Sequence, residues 1–311
     1  MQKRSLNNQP FLKPTVSVII PVLNASETIR ELLDILHQQT YDADKTEIFI
    51  VDNGSDDYTI TKARQYPVTV LQELSVKSPY AARNFGLKQA KGEIIAMTDA
   101  NKIPEKTWIE EGVKALNSEK ADLAGGDIQF RLSDHPTAAE VYDAITFNDN
   151  RRFVAEENGA ATGNLFFRKE VLREMGFFPE KARSGMDIWW TQNAVRNGHK
   201  LVYAEKAVVW CKPRNLKQVL KKSYRVGISH PFNQKQAGKS TIYILMMILR
   251  TFMPPKVRPL KEKMNQIKPA VPVSSVWRVV WLSKIYMGFG RISGLFRMNS
   301  ESSIREKNHQ P

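Results

Sequence analysis

The sequence predicts an α/β fold: a mostly parallel central sheet flanked by helices, followed by a helical, basic C-terminal extension. Three observations carry this expectation. In the first part of the chain, short apolar runs alternate with longer amphipathic stretches, the rhythm of strand-helix-strand units on a parallel sheet. Several of those runs stop at carboxylate-bearing turns, as strands do where a parallel sheet opens onto a ligand. Charge is also segregated. Residues 1–211 carry 26 Lys and Arg against 29 Asp and Glu, whereas residues 212–311 carry 20 against 3, a net of +17 that holds all of the excess basicity.

In chain order, Val16 to Ile20 is a buried strand ended by Pro21. Asn24 with Glu27 three residues on forms a capping box for a helix whose Ile29, Leu32, Leu33 and Leu36 share one face. Ile48 to Val51 is a second strand, stopping at Asp52-Asn53-Gly54-Ser55-Asp56-Asp57; Val68 to Leu71 is a third, and a helix begins near Pro79. Ile94 to Met97 is the central strand, after which Pro104, suited to a first helical turn, opens a helix to Leu116. Leu123 to Ile128 and Thr162 to Phe167 read as strands, and Lys200 to Trp210 as a strand or hairpin. Thr137 to Phe147, Lys169 to Met175 and Asp187 to Val195 read as helices, the last ending at Gly198. Beyond Lys212 the pattern is helical and cationic, with Leu216, Val219, Leu220 and Tyr224 on one face. Pro254, Pro255 and Pro259 place a linker over residues 254–272. Val276 to Phe296 interleaves Trp277, Trp281, Tyr286 and Phe289 with Arg278, Lys284, Arg291 and Arg297. That mixture suits a membrane interface or a helix packed on the main body with snorkelling cations.

Composition narrows the classes. Cys211 is the single cysteine, so an internal disulfide and a thiolate zinc cage are both excluded, and a reducing, cytoplasmic setting is expected. Lys3 and Arg4 are not followed by an apolar core before Pro14, so no signal peptide is read. The run from Ile242 to Met253 is broken by Arg250 and too short to span a bilayer. The basic last third will be drawn to anionic lipid headgroups, a phosphorylated substrate or nucleic acid. Nucleic acid is not expected, because the cations interleave with large apolar residues and no nucleic-acid motif is present.

The carboxylates at strand ends hold the chemistry. Asp99 and Asn101, one residue apart where the central strand stops, can share a hard cation such as Mg²⁺ or Mn²⁺ with phosphate oxygens; Asp99 can equally cap the next helix. Asp52 can accept hydrogen bonds from a nucleotide base or serve as a turn residue. Arg83 can face phosphates or lie on a solvated helix face. His37, His135, His199 and His230 have no ligand spacing.

Four segments then resemble the family 2 glycosyltransferases in sequence, order and separation: Ser17-Val18-Ile19-Ile20-Pro21-Val22-Leu23-Asn24, Ile50-Val51-Asp52-Asn53-Gly54-Ser55-Asp56-Asp57, Ala81-Ala82-Arg83-Asn84-Phe85-Gly86 and Met97-Thr98-Asp99-Ala100-Asn101. Thr162-Gly163-Asn164-Leu165-Phe166-Phe167-Arg168, Gly176-Phe177-Phe178 and Gly185-Met186-Asp187 are similar to that family's acceptor-side half. The resemblance covers roughly residues 15 to 212 and implies an A-type nucleotide-diphosphosugar transferase fold, with transfer of a single sugar and inversion at the anomeric carbon. It puts Pro21 and Asn24 beside the nucleoside, Asp52 on the base, Arg83 on the nucleotide, and Asp99 with Asn101 on the metal, Mg²⁺ or Mn²⁺, and the diphosphate. Asp187 matches the catalytic base, which an inverting transfer needs to take the acceptor proton; the alternative is a helix cap, with Trp189 and Trp190 after it in the core. The sequence departs from the family at Asn101, where a second aspartate is usual, at Met186, where a glutamate often precedes the base, and at Cys211, where a histidine is common. The Gln-x-x-Arg-Trp signature of processive synthases is absent.

On this reading residues 1–14 are a tail and 15–230 the catalytic domain, with a nucleotide-sugar half (15–120) and an acceptor half (121–230). Residues 231–298 are a basic helical extension able to associate with a membrane, and 299–311 a disordered tail. The partners expected are a nucleotide-diphosphate sugar, an acceptor hydroxyl on a glycan, a lipid-linked or a small molecule, and an anionic membrane surface, with the protein peripheral on the inner face and working in cell-envelope or polysaccharide synthesis. The alternative is a catalytically lapsed sugar-nucleotide-binding protein on the same fold, for which Asn101 is the motive.

Overall fold

One eight-stranded sheet, in the order β3-β2-β1-β4-β7-β6-β8-β5, organises the computed structural model, which describes residues 13–146, 149–180, 184–236 and 238–307. The strands are β1 Val16–Val22, β2 Thr46–Asp52, β3 Thr69–Gln72, β4 Ile94–Thr98, β5 Lys102–Pro104, β6 Leu123–Phe130, β7 Asn164–Arg168 and β8 Leu201–Cys211. The helices are α1 Ile29–Leu36, α2 Thr59–Ala63, α3 Pro79–Gln89, α4 Trp108–Ser118, α5 Ala138–Thr146, α6 Asn150–Glu157, α7 Lys169–Met175 and α8 Met186–Arg196, then α9 Leu216–Gln236, α10 Thr241–Thr251, α11 Val257–Ile267 and α12 Val273–Lys307.

The strands β3, β2, β1 and β4 are mutually parallel. β7 then runs antiparallel between β4 and β6, β8 lies parallel to β6, and β5 closes the edge antiparallel to β8. Period-two alternation along β1 divides the core. Val18 and Ile20 pack with Leu32, Leu33, Trp108 and Phe166 on one face, and Ile19 packs with Val51, Leu87, Met97, Phe167 and Trp190 on the other. Full burial of a leucine such as Leu32 or Leu33 stabilises the fold by roughly 2 kcal/mol. The antiparallel step from β4 to β7 matters most for function, because Thr98 pairs with Asn164 and so brings the exit of β4 against the entry of β7.

Several local expectations are corrected. Asn24 and Glu27 form no capping box: α1 starts at Ile29, and Asn24 adopts a left-handed φ of 52° with its Oδ1 accepting from the Asp56 amide at 3.0 Å. β1 continues through Pro21 to Val22. Pro104 ends strand β5 and opens no helix, since α4 begins at Trp108. The proline-rich linker contains α11, with Pro259 in its first turn, where a missing amide hydrogen costs nothing. α9 runs unbroken across residue 230, and α12 continues through residue 299 to Lys307. Phe147, residues 1–12 and residues 308–311 lie outside the described residues.

The C-terminal helices join the body through α5. Val141 and Tyr142 of α5 pack with Val219, Leu260, Met264, Val276 and Val279. Ser223 and Ser283 share a buried hydrogen bond of 2.8 Å, and the Tyr142 hydroxyl also bonds to Ser283. α9 and α12 touch through backbone: a Cβ at Gly290 would run into the Tyr224 carbonyl, one at Gly294 into that of Ile228, and one at Gly227 into that of Met287. α10 is clamped to α12 by Arg291, whose guanidinium donates to the Met247 carbonyl at 3.1 Å and to His230 Nδ1 at 3.0 Å. Among the described residues no helix is long and apolar enough to cross a membrane.

Candidate active site

The cleft forms where β1, β2 and β4 end. Asp99 follows the last residue of β4, and both its oxygens are taken by cations: Oδ1 accepts from Arg83 at 2.6 Å and Oδ2 from Lys102. Arg83 comes from α3, which Pro79 starts and the Ser78 hydroxyl caps by accepting from the Tyr80 amide. Lys102 comes from the short strand β5, directly across from Cys211 of β8. Burial alone would push the Asp99 carboxyl up, but the Lys102 and Arg83 charges outweigh it and hold the group well below the usual carboxylate range. Asp99 is therefore an anion at any working pH, and 31% of its side chain still meets solvent.

Asp187 stands in the first turn of α8, where the helix dipole favours its charge. Gly185 just before it takes a φ of 85°, in the left-handed region open to glycine, to start the helix. Asp187 Oδ1 accepts from the Tyr80 hydroxyl at 3.1 Å, and Oδ2 accepts from the Thr162 amide at 3.2 Å and its hydroxyl at 3.3 Å. Tyr80 also lies under the Arg83 guanidinium, 5.6 Å from ring centre to Cζ. Burial, then the charge of Asp187, raises the Tyr80 phenol far above its usual value, so it acts as a fixed donor. A chain of contacts thus runs from Asp187 through Tyr80 and Arg83 to Asp99. The same two ends approach through Thr162 and its neighbour Gly163, where a Cβ would lie 3.1 Å from Asp99 Oδ2.

Asp52 ends β2 and is buried, with Oδ1 accepting from the Ser55 amide at 3.0 Å and Oδ2 3.4 Å from the Gln72 amide nitrogen. It and Asp99 flank β1, about 10 Å apart by strand spacing, with Pro21 between them. Asn24 faces the same turn, its amide donating to Ser55 Oγ at 3.0 Å. Asp57 closes the turn from within by accepting from the Ser26 and Thr59 amides. Although burial works the other way, hydrogen bonds from Thr59 and Ser26 bring its carboxyl down to about 2. Asp56 is exposed.

The structure thus brings Arg83, Asp99 and Asp187 into one connected cluster and sets Pro21, Asn24 and Asp52 along the same strand ends. Asn101 is not drawn in, since its side chain is exposed. Sequence reasoning missed Lys102, Tyr80 and Arg214, and quoted Thr162 only within a motif, without a role. The spacing of Lys102 from Asp99 was visible, but its burial depends on β5 pairing with β8, which no local pattern announces. Arg214 clamps the fully buried Asp143 through both carboxylate oxygens, at 3.1 and 3.2 Å, and its charge also acts on Asp99.

The donor set does not suit a divalent ion. Asp99 is the one carboxylate of its motif and is already paired with two cations, Asn101 is turned to solvent, and Cys211 beside Lys102 is a buried thiol whose pKa burial raises. Among the described residues no three His, Cys, Asp or Glu side chains cluster to hold a metal.

Comparison with known proteins agrees with this architecture. The model of the Glycosyl transferase family 2 matches residues 17–176. Glycosyltransferase AglE of Haloferax volcanii is 33% identical over 300 residues, covering 93% of this chain and 98% of that protein. The poly(ribitol-phosphate) beta-N-acetylglucosaminyltransferase TarS of Staphylococcus aureus is 24% identical over 64% of this chain, which spans 35% of TarS. Among solved structures, the mannosyltransferase PcManGT of Pyrobaculum calidifontis, in complex with GDP-Man and Mn²⁺, superposes with a TM-score of 0.62 at 18% identity over 93% of this chain and 89% of its own. TarS 1-349 in complex with UDP-GlcNAc superposes with a TM-score of 0.54 at 18% identity, covering 92% of each chain. A mostly parallel sheet carrying charged strand ends, and relatives of this similarity over this length, make the chain a glycosyltransferase of family 2.

Proposed function

We propose that this protein moves a single sugar from a nucleoside-diphosphate sugar to an acceptor hydroxyl, with inversion at the anomeric carbon and Asp187 as general base. The observation that supports this reading is the contact chain from Asp187 through Tyr80 and Arg83 to Asp99, which sets a carboxylate and a cationic anion site on one cleft. An ionised carboxylate has about four acceptor positions. Tyr80 and the two groups of Thr162 fill three of those on Asp187 and leave room for the acceptor hydroxyl. As that oxygen attacks the anomeric carbon its proton passes to Asp187, the bond to the diphosphate breaks, and the electron pair leaves with the nucleotide. Asp52, Asn24 and Pro21 receive the nucleoside at the ends of β1 and β2.

A competing account places Mg²⁺ or Mn²⁺ on Asp99 and Asn101. It is favoured by the Mn²⁺ that accompanies GDP-Man in PcManGT, and it sets the ion on a carboxylate already paired with Lys102 and Arg83. Thermal melts against a panel of nucleotide sugars test the main reading: the cognate donor at about 100 times its dissociation constant stabilises the fold by roughly 2.7 kcal/mol. Absence of any shift, together with no transfer or hydrolysis, would sink it. A shift without turnover would point to a lapsed sugar-nucleotide binder.

An anionic membrane surface is the proposed resting place, and α10 is the element that supports it. Ile244 and Ile248 pack inward, while Ile242, Leu245, Met246, Leu249 and Met253 form an outward apolar stripe, with Ile242 and Leu249 about 70% exposed. Lys239, Arg250, Lys256 and Arg258 border the stripe, and residues 239–261 contain no acid. A symmetric dimer through this face would set like charges against each other, whereas anionic headgroups neutralise them. The protein is expected to sediment with vesicles containing anionic phospholipid and not with neutral ones, and Leu249→Glu with Ile242→Glu should abolish sedimentation without lowering the melting temperature. Equal pelleting of the double variant would remove α10 from this role.

A further inference from the structure

We propose that Lys102 is a diphosphate-binding residue: its ammonium, together with the Arg83 guanidinium, neutralises the donor's diphosphate where a divalent ion would otherwise be needed, so that nucleotide binds without metal. The proposal rests on the reading of this cleft as a nucleoside-diphosphate-sugar site and specifies how that site carries charge.

The case begins with burial. The Lys102 side chain is 2% exposed and sits on a three-residue edge strand whose place in the fold is fixed by pairing with β8. An ammonium has three N–H donors, and among the described residues the one hydrogen-bond partner of Lys102 is Asp99 Oδ2. Two donors are therefore unspent in a place where water is largely excluded. Arg83, also buried, is in the same position: its two terminal nitrogens reach Asp99 and the Pro79 carbonyl, while Nε has no acceptor. Two neighbouring cations with buried, unspent donors call for an anion richer in oxygens than one carboxylate, and a diphosphate supplies it.

The surroundings keep this space open. A Cβ at Gly163 would lie 2.8 Å from Lys102 Nζ, so the absent side chain at the entry to β7 is what lets the ammonium stand beside Asp99. Arg214, which clamps Asp143, also lends its charge to Asp99. Arg83, Lys102 and Arg214 thus meet Asp99 and Asp143 before any ligand enters, with the Lys222 amine, held low by burial, beside Arg214, Asp143 and Lys102. A metal ion on Asp99 would have to sit within a few ångströms of the Lys102 ammonium, where like charges oppose it. The leaving diphosphate, by contrast, gains negative charge as the sugar departs, and fixed cations in a dry site favour that change. Lys102 moves no proton in this scheme; Asp187 takes the acceptor's.

Calorimetric titration of the full chain with UDP and with GDP, in EDTA and in excess Mn²⁺, decides the matter. One of the two nucleotides is expected to bind in EDTA within about threefold of its affinity in Mn²⁺, and Lys102→Met to lose at least ~30-fold in EDTA. Lys102→Asp, which sets a second carboxylate beside Asp99, is expected to bind nucleotide only with Mn²⁺ and to take up the ion itself, read from loss of the free Mn²⁺ signal in electron paramagnetic resonance. Wild-type binding that appears only with Mn²⁺ would overturn the proposal and leave the glycosyltransferase reading standing. So would a folded Lys102→Met that binds as wild type in EDTA. If the variants fail to fold, the wild-type comparison in EDTA and Mn²⁺ still decides. No binding of either nucleotide under either condition would overturn the reading of the cleft, and this inference with it.

Discussion

Replacing Asp187 by Asn is expected to lower the transfer rate by at least ~10³-fold while leaving the donor's dissociation constant within about twofold, because positioned general bases contribute on the order of 10²–10⁴. The substitution keeps the side chain's shape and the acceptor oxygen for the Tyr80 hydroxyl. The new amide group would then face the Thr162 amide, so two donors oppose each other where a carboxylate oxygen now accepts. That clash is expected to cost about 1–2 kcal/mol of stability, so a melting curve must accompany the kinetics. Asp187 contacts none of the groups around Asp52 or Asp99 directly; donor titrations therefore separate a lost base from a disordered site. Near-wild-type turnover in a folded Asp187→Asn protein would reject the assignment.

The largest expected loss of stability is at Asn164. Its side chain is fully buried, donates to the carbonyls of Asp127 and Ala207, both at 2.7 Å, and accepts from the Trp108 indole at 2.8 Å. Those carbonyls flank the irregular step where the β6–β8 register jumps from Gly126 opposite Ala204 to Asp127 opposite Val208. Asn164→Ala orphans all three groups in a dry interior at about 1–3 kcal/mol each, less whatever an entering water recovers, so a loss of at least ~3 kcal/mol in urea unfolding is expected. Because the same step aims the end of β8 at Lys102, nucleotide binding should weaken as well. A loss below about 1 kcal/mol would mean that the strand irregularity is held by other contacts.

Most strands were legible because each is a short apolar run stopped by glycine, proline or acid: β4 lies within one residue of its expected bounds, and α7 matches its own. The carboxylates at strand ends were legible for the same reason, since Asp52 and Asp99 follow runs that can only be buried. Failures occurred where a distant partner outbid local chemistry. Asn24 has the composition of a helix cap, but Asp56, 32 residues later, captures its side chain and turns the backbone left-handed. Lys102 carried no local signal and is buried because Asp99 and β8 enclose it. Asn164, read as part of an acceptor-side motif, is occupied by structural hydrogen bonds. The aromatic stretch of α12 was open to two readings, a membrane-facing surface or a helix packed on the body: Trp277 and Val280 pack against the α5 cluster while Trp281, Tyr286 and Phe289 stay exposed, and a second outward apolar stripe, not foreseen, lies on α10.

The glycines at the crossing of α9 and α12 leave the two backbones with no side chain between them that could rearrange. Sliding of such a joint would drive backbone into backbone. α10 hangs from it through Arg291, and α9 begins beside Arg214, whose charge reaches Asp99. Were α10 to dock on lipid as proposed above, the mouth of the cleft would stand at one height above the headgroups. The enzyme would then act as a ruler, choosing acceptors by how far their free hydroxyl projects from the membrane as well as by the sugar they end in.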